Sequence, residues 1–442
     1  MKLWFFLRLW SLLWHLGLPV ILIYLWKRGC NDALYIQHLA ERFGRYPQRL
    51  RGAIWVHAVS LGELRSAVPL IRALLNRGET VVTTHFTPAG RRESERVFAA
   101  DIAAGKLAAV WVPLETSWAY RGFFRAFRPK AGLVMEIEVW PRMIFAARRA
   151  GVPLFMCNAQ YPMKSMARDA KLRLRHKLMQ GYAGAFVKSD LQSKRFASVG
   201  VRNITVTGEL RFDQPIPPQL VAAASLRAAL AGTRPVITFA SAVEGEDALY
   251  LDAIIAALEH PSRPFVVYVP RKPERFDAVA KLIANRGIRF LRRSQALDAA
   301  LGAKTLPSPL RGGGAGGGGQ SEALAPDLLL GDSLGEMYFY IALSDCVVTG
   351  GGFTPHGAHN IIESLALKRP VIVGPEIHTI EYPAVEAIAA GVCLRVITAD
   401  ALTAALTDWP GPGEAAIEAF FAAHAGATQK TLAALDRALT SR

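Results

Sequence analysis

Apolar residues run almost unbroken from Leu3 to Trp26, with only Arg8 and His15 interrupting them. As a single helix this stretch measures about 36 Å, enough to cross the hydrocarbon of a bilayer. Trp4, Trp10, Trp14 and Trp26 also suit a membrane interface, so a helix lying in one leaflet stands beside a spanning one. Beyond Arg51 the pattern changes to short apolar runs separated by amphipathic stretches. Runs at 53–59, 80–86, 109–114, 132–137, 154–158, 185–189 and 204–207 predict buried strands, and a second series follows at 235–240, 265–269, 327–330, 346–349, 371–373 and 393–396. Val, Ile and Leu without polar alternation mark strands covered on both faces, hence parallel sheets flanked by helices.

The predicted fold class is α/β: two doubly wound, Rossmann-like domains facing an interdomain cleft, behind an N-terminal membrane-anchoring helix. The segment Arg211-Phe-Asp-Gln-Pro-Ile-Pro-Pro218 breaks the rhythm and reads as a linker. The expected division is an anchor at 1–28, a first domain at 29–212, a second at 213–425 and a helical end at 426–442. The glycine-rich run Pro307 to Gln320 predicts a surface insertion and not a phosphate loop, since no helix with Lys-Ser/Thr follows it.

Charge narrows the partners. A net charge of +16 over 442 residues implies an anionic one. Neither zinc-finger spacing nor an aromatic RNA-recognition motif is present, so an anionic lipid surface ranks above nucleic acid. Lys27, Arg28, Arg42, Arg45, Arg49 and Arg51 follow the apolar run, which by the positive-inside rule keeps the remainder in the cytoplasm. No small-residue cleavage site follows the run, and Lys27 and Arg28 exclude lipoprotein processing at Cys30. The cysteines, Cys30, Cys157, Cys346 and Cys393, are scattered without Cys-x-x-Cys spacing, as for thiols in a reducing compartment.

Polar motifs cluster just after the predicted strands. Gly350-Gly-Gly-Phe-Thr-Pro-His-Gly-Ala-His-Asn-Ile-Ile-Glu363 places glycines, whose amides can approach a phosphate, before a helix start on which Asn360 and Glu363 would share a face. A capped helix after a glycine turn explains the same residues equally well. Glu63, in Ser60-Leu-Gly-Glu63, is a candidate general base or a first-turn cap. Glu136 and Glu138 stand at alternate positions after an apolar strand and are expected on one side of the sheet, where two buried carboxylates favour function. Arg211 and Arg271 are candidate phosphate contacts, and Gly331 to Glu336 again joins strand to helix. His356 and His359 precede the helix, so a metal site with Glu363 is not expected.

Together these segments resemble the 3-deoxy-D-manno-octulosonic acid (Kdo) transferases of lipopolysaccharide assembly, which have the GT-B glycosyltransferase fold. The resemblance covers almost the whole chain. It implies transfer of Kdo from CMP-Kdo to the tetraacylated lipid A precursor (lipid IVA), with inversion and without a metal, at the cytoplasmic side of the inner membrane. It also implies Glu63 as proton acceptor, Glu136 as transition-state stabiliser, and Arg211 where the family usually has lysine. Pro270 and Arg271, Leu334, Gly335 and Glu336, and Asn360, Ile361, Ile362 and Glu363 fall at CMP-contacting positions. The chain departs from the family pattern at Gln160, Val243 and Lys272 as well as Arg211. A GT-B transferase or epimerase using another nucleotide sugar, or an inactive membrane scaffold of the same pathway, are the competing readings.

Overall fold

A computed structural model describes residues 3–171, 174–304 and 326–440. The expected insertion at 307–320 lies outside the described residues. The chain forms two compact units, one made of Met1–Gln214 with His424–Arg442 and the other of Pro215–Ala423.

In the first unit seven parallel strands, β1 (Ile54–His57), β2 (Val81–His85), β3 (Leu107–Trp111), β4 (Ala131–Met135), β5 (Leu154–Ala159), β6 (Gly184–Val187) and β7 (Ile204–Val206), lie in the order 3-2-1-4-5-6-7. β1 to β6 are buried along their whole length, which is why their sequence shows no alternation. Two apolar layers cover the sheet faces, one around Trp55, Phe123 and Met156 and the other around Val56, Leu70 and Phe155. The second layer also takes in Leu432 and Leu435 from the closing helix Ala427–Thr440. Asp213 fastens that return, its two carboxylate oxygens accepting the Gly426 and Thr428 amides at 2.7 and 2.6 Å.

The second unit repeats the plan with β8 (Val236–Ala242), β9 (Phe265–Pro270), β10 (Phe290–Arg292), β11 (Leu328–Leu330), β12 (Cys346–Thr349), β13 (Val371–Val373) and β14 (Cys393–Arg395), in the order 10-11-9-8-12-13-14. β10 has no counterpart in the apolar pattern. It is a three-residue edge strand, half-buried throughout, so its composition carries too little apolar signal. Each sheet reverses direction once, between β1 and β4 in the first and between β8 and β12 in the second. Ligands of doubly wound sheets bind beyond the carboxyl ends of the strands at such reversals.

The apolar N-terminus forms one helix, Leu3–Asn31, long and apolar enough to cross a membrane. Trp4, Leu16, Val20, Ile23 and Trp26 are 62 to 68 % exposed. The helix is nevertheless tied to the first unit. Trp10 Nε1 donates to Glu115 at 3.0 Å, Arg142 Nη2 donates to the Leu7 carbonyl at 2.9 Å, and Trp118 Nε1 donates to His15 Nε2 at 3.1 Å. Glu115 is 1 % exposed and also accepts the Arg142 and Met143 amides at 2.7 and 2.9 Å, capping the helix Pro141–Arg149. Arg42, counted in sequence among the membrane-flanking cations, is buried instead. Its guanidinium lies 4.1 Å over the Trp111 ring, and burial together with the nearby Arg91 pushes its pKa down to about 10. An arginine stacked on tryptophan recovers in cation–π attraction part of what it loses in hydration.

Removing the Glu115 carboxylate leaves three donors without an acceptor. Glu115→Ala is expected to destabilise the first unit by about 2–3 kcal/mol, against about 1 kcal/mol for Glu115→Gln, which keeps one acceptor oxygen. Thermal unfolding in detergent reads the difference as a midpoint lowered by about 5–10 °C for the alanine variant.

Candidate active site

At the reversal of the first sheet, His57 of β1 pairs with Val134 of β4, so the chain leaves both strands side by side. After β1, Ser60 begins the helix Leu61–Asn76 and its hydroxyl accepts the Glu63 amide at 3.3 Å. Glu63 turns back in a capping box, accepting the Val59 amide and the Ser60 hydroxyl, each at 2.8 Å. Its local geometry therefore satisfies the capping reading, yet its protonation does not resemble that of a surface cap. Burial pushes its pKa up to about 7; the Val59 and Ser60 bonds oppose the shift, while the Glu136 and Glu138 charges add to it. A carboxylate accepts up to four hydrogen bonds, so capping leaves room for a substrate hydroxyl.

β4 ends at Met135, and Glu136 departs from it with φ 57°, a left-handed conformation. Glu136 and Glu138 are therefore not alternate residues of a strand, as the sequence pattern suggested; the turn replaces the pleat one residue early. Glu138 accepts Trp140 Nε1 at 2.6 Å, and burial raises its proton affinity. The side chain of Glu136, half-buried, has no hydrogen-bond or ion-pair partner among the described residues. A carboxylate left open beside a sheet reversal is available to stabilise positive charge.

Arg211 lies in the single-turn helix Leu210–Asp213, and its Nε donates to Ser66 Oγ at 2.8 Å, one turn along the helix that begins with Glu63. Neither a carboxylate of the 136–138 loop nor an open position engages it directly. Behind it sits a buried network that sequence reasoning missed. Glu209 accepts Asn158 Nδ2 at 2.8 Å and pairs with Lys188 at 2.6 Å. Burial alone would raise the Glu209 pKa, but Lys188 and Arg211 outweigh it and hold the carboxyl below its usual range. Asn158 stands near the end of β5 while Lys188 and Glu209 follow β6 and β7, and their signal in sequence was polarity at the end of an apolar run. His57 was missed as well. Burial pushes its pKa down to about 4, so the ring is neutral; Nδ1 meets Thr84 Oγ1 at 2.8 Å and Nε2 has no partner.

In the second unit the glycine loop after β12 differs from expectation. Glu246, fully buried, accepts the Gly351 amide on both oxygens at 2.8 and 2.7 Å and the Phe353 amide at 2.9 Å. It also takes the Val243 amide at 3.2 Å and the Tyr250 hydroxyl at 3.0 Å. Of the amides expected to cradle a phosphate, that of Gly351 is thus spent on the protein's own carboxylate and that of Gly350 on the Ala240 carbonyl. Glycine is needed for close packing: a Cβ on Gly350 would stand 2.4 Å from the Ser241 carbonyl oxygen, and one on Gly352 2.6 Å from the Gly374 nitrogen.

Asn360 lies before the helix Ile362–Ala366 and its side chain accepts the Ile362 amide at 3.0 Å, so it stands outside the helix rather than sharing a face with Glu363. Ile361 and Ile362 are buried. Pro270 ends β9 and pairs with Ala242, and the next residue, Arg271, brings its guanidinium to the His359 ring. Burial and the adjacent Arg271 and His356 push the His359 pKa down to about 4, leaving a neutral imidazole. After β11, Leu334 is exposed and Gly335 takes φ 81°, while Glu336 is held by Arg293 at 2.6 Å. Glu363 contributes with burial to raising the Tyr338 pKa, which places it beside the helix Met337–Leu343. The expected nucleotide contacts thus converge on the ends of β9, β11 and β12. The Glu336 carboxylate itself is occupied. Among the described residues no three His, Cys, Asp or Glu side chains converge to hold a metal ion.

Residues 37–214 match the sequence profile of the family described as 3-deoxy-D-manno-octulosonic-acid transferase (kdotransferase). The chain is 38 % identical over 437 residues to the 3-deoxy-D-manno-octulosonic acid transferase of Bordetella pertussis, spanning 95 % of this chain and 96 % of that one. Identity to the Haemophilus influenzae transferase is 31 %, over 83 % and 81 % of the two chains. Among solved structures, a glycosyltransferase from Rickettsia africae superposes with TM-score 0.57 at 14 % identity, covering 90 % of this chain and all of that one. The UDP-GlcNAc 2-epimerase of Neisseria meningitidis gives 0.54 at 13 %, covering 87 % of this chain and all of that one, and shares only the GT-B fold. With two parallel sheets of that fold and full-length relatives this similar, the chain belongs to the Kdo transferases and is a glycosyltransferase.

Proposed function

We propose that this transferase moves Kdo from CMP-Kdo to the tetraacylated lipid A precursor in lipopolysaccharide core assembly, by one inverting displacement without a metal. Glu63 carries the reading: a carboxyl whose pKa is raised to about 7, at the sheet reversal, with Glu136 open beside it. A base poised near neutral pH combines the right protonation state with enough basicity to take a proton from a primary hydroxyl. The oxygen of the glucosamine 6-hydroxyl attacks the anomeric carbon as its proton passes to Glu63. The bond from that carbon to the CMP phosphate oxygen breaks, and CMP leaves as a monoester. Glu136 stabilises the oxocarbenium character of the transition state.

The second unit holds the donor. Arg271, oriented by neutral His359, pairs with the CMP phosphate, and the exposed Leu334–Gly335 backbone and the Asn360–Glu363 turn contact cytidine and ribose. Arg211 acts at a distance, through Ser66, on the helix that presents Glu63. Arginine there keeps the charge of the family's usual lysine but cannot deliver a proton. The apolar helix Leu3–Asn31 anchors the enzyme at the cytoplasmic side of the inner membrane, where an anionic acceptor lipid is at hand.

Purified protein incubated with CMP-Kdo and lipid IVA should yield a Kdo-bearing product by mass spectrometry. No product, with a known Kdo transferase active in the same mixture, would overturn the reading. Glu63→Gln should lower kcat by about 10²–10⁴ while leaving the donor KM nearly unchanged. Because the base acts deprotonated, kcat/KM should rise with pH through about 7; a profile flat from pH 5.5 to 8.5 would remove Glu63 from that role.

Arg271→Ala should raise the donor KM about 10- to 100-fold through loss of a charged contact to phosphate. Glu246→Ala should also weaken donor binding, because the glycine loop loses its clamp, and should lower the unfolding midpoint as well. Arg271→Ala should not, and differential scanning of the two variants separates contact from positioning.

A further inference from the structure

The N-terminal helix does more than face outward. Phe6 and Trp10 line a cavity of about 520 Å3 together with Leu174 and Leu178 of the short helix Leu174–Met179. That volume falls in the range of ligand pockets, about 300–1,000 Å3. On the same helix Trp4, Leu16 and Val20 remain exposed, so an amphiphile held in a bilayer reaches the cavity along the helix without crossing water.

Charge identifies the amphiphile. The helices Met163–Ala170 and Leu174–Met179, which contribute to the lining, carry Lys164, Arg168, Arg175 and Lys177 and a single acid, Asp169. Arg168 lines the cavity and is 66 % exposed. Arg175 lines it too: its Nη2 donates to the Ile137 carbonyl at 3.0 Å, while its buried Nε makes no hydrogen bond and lies 3.4 Å from Asp169. The guanidinium thus ties the cavity to the loop carrying Glu136 and Glu138. Glu138 is itself a lining residue and one of the charges felt by Glu63.

We propose that this cavity is the lipid subsite for the acceptor. One acyl chain lies between Phe6, Trp10, Leu174 and Leu178, a phosphate of the same molecule rests on Arg168 and Arg175, and the sugar extends past Glu138 toward Glu63. The proposal deepens the acceptor reading above and rests on it.

The test uses full-length protein in phosphatidylcholine vesicles containing phosphatidic acid with a diazirine near the end of one acyl chain. After irradiation, labelled residues are mapped by peptide mass spectrometry. Label is expected at Phe6–Trp10 and Leu174–Leu178. Diacylglycerol bearing the same photoreactive chain should label this site about fivefold less, because it lacks the charge that the arginines attract. Leu174 is half-buried, so Leu174→Asp should fold, which an unchanged circular dichroism spectrum verifies, and should lower labelling at the site about tenfold. Label confined to the outward face at Leu16, Val20 and Ile23, or equal labelling by the neutral lipid, overturns the subsite. Label at the site in a protein that transfers no Kdo keeps the lipid subsite and overturns the acceptor reading; Kdo transfer without label at the site does the reverse.

Discussion

Backbone amides released at the carboxyl edge of a parallel sheet must find acceptors, and in this protein buried glutamates supply them. Glu63 takes the Val59 amide, Glu115 those of Arg142 and Met143, and Glu246 those of Val243, Gly351 and Phe353. Glu41 does the same for Trp111 at 2.8 Å while paired with buried Arg91. Each carboxylate loses hydration on burial, and several charge-bearing or backbone donors are needed to offset that cost. The loops around the two sheet reversals are therefore held by side-chain carboxyls that accept backbone amides. Such loops can be polar without being loose.

That arrangement explains why Glu63 resisted a single interpretation from sequence. A capping box and a general base make the same demands on a first-turn glutamate, and Glu63 meets both. What separates it from an ordinary cap is first its burial, and after that the charges of Glu136 and Glu138, which follow a strand distant in sequence. Sequence alone cannot sum charges over a fold it has not yet built.

The parallel sheets, by contrast, were legible. Apolar runs announce strands, and among the described residues thirteen of the fourteen strands produce them, including β7 and β14, which are only partly buried. β10 failed because an edge strand needs no apolar continuity. The motif residues were also found where polarity follows a strand end, but their contacts were not. Gly350 to Gly352 read as a phosphate cradle because glycine amides look free in one dimension; Glu246, a hundred residues earlier, had already claimed that of Gly351, and the Ala240 carbonyl that of Gly350. Likewise Asn360 fell at helical spacing from Glu363, yet the helix begins two residues later and Asn360, outside it, accepts its first amide. Glu136 escaped the strand through a left-handed turn that no residue type forecasts, since glycine and asparagine are the usual occupants. The buried Lys188–Glu209 pair left no motif at all.

Asp213, by gripping Gly426 and Thr428, joins two points of the chain between which the whole second unit is inserted. On a ribosome the first unit cannot close its second apolar layer when its own strands emerge, because Leu432 and Leu435 have not yet been synthesised. The unit that begins first is therefore completed last, and until the final helix arrives a strip of its core around Leu70 and Phe155 lies open to whatever chaperone attends the nascent chain.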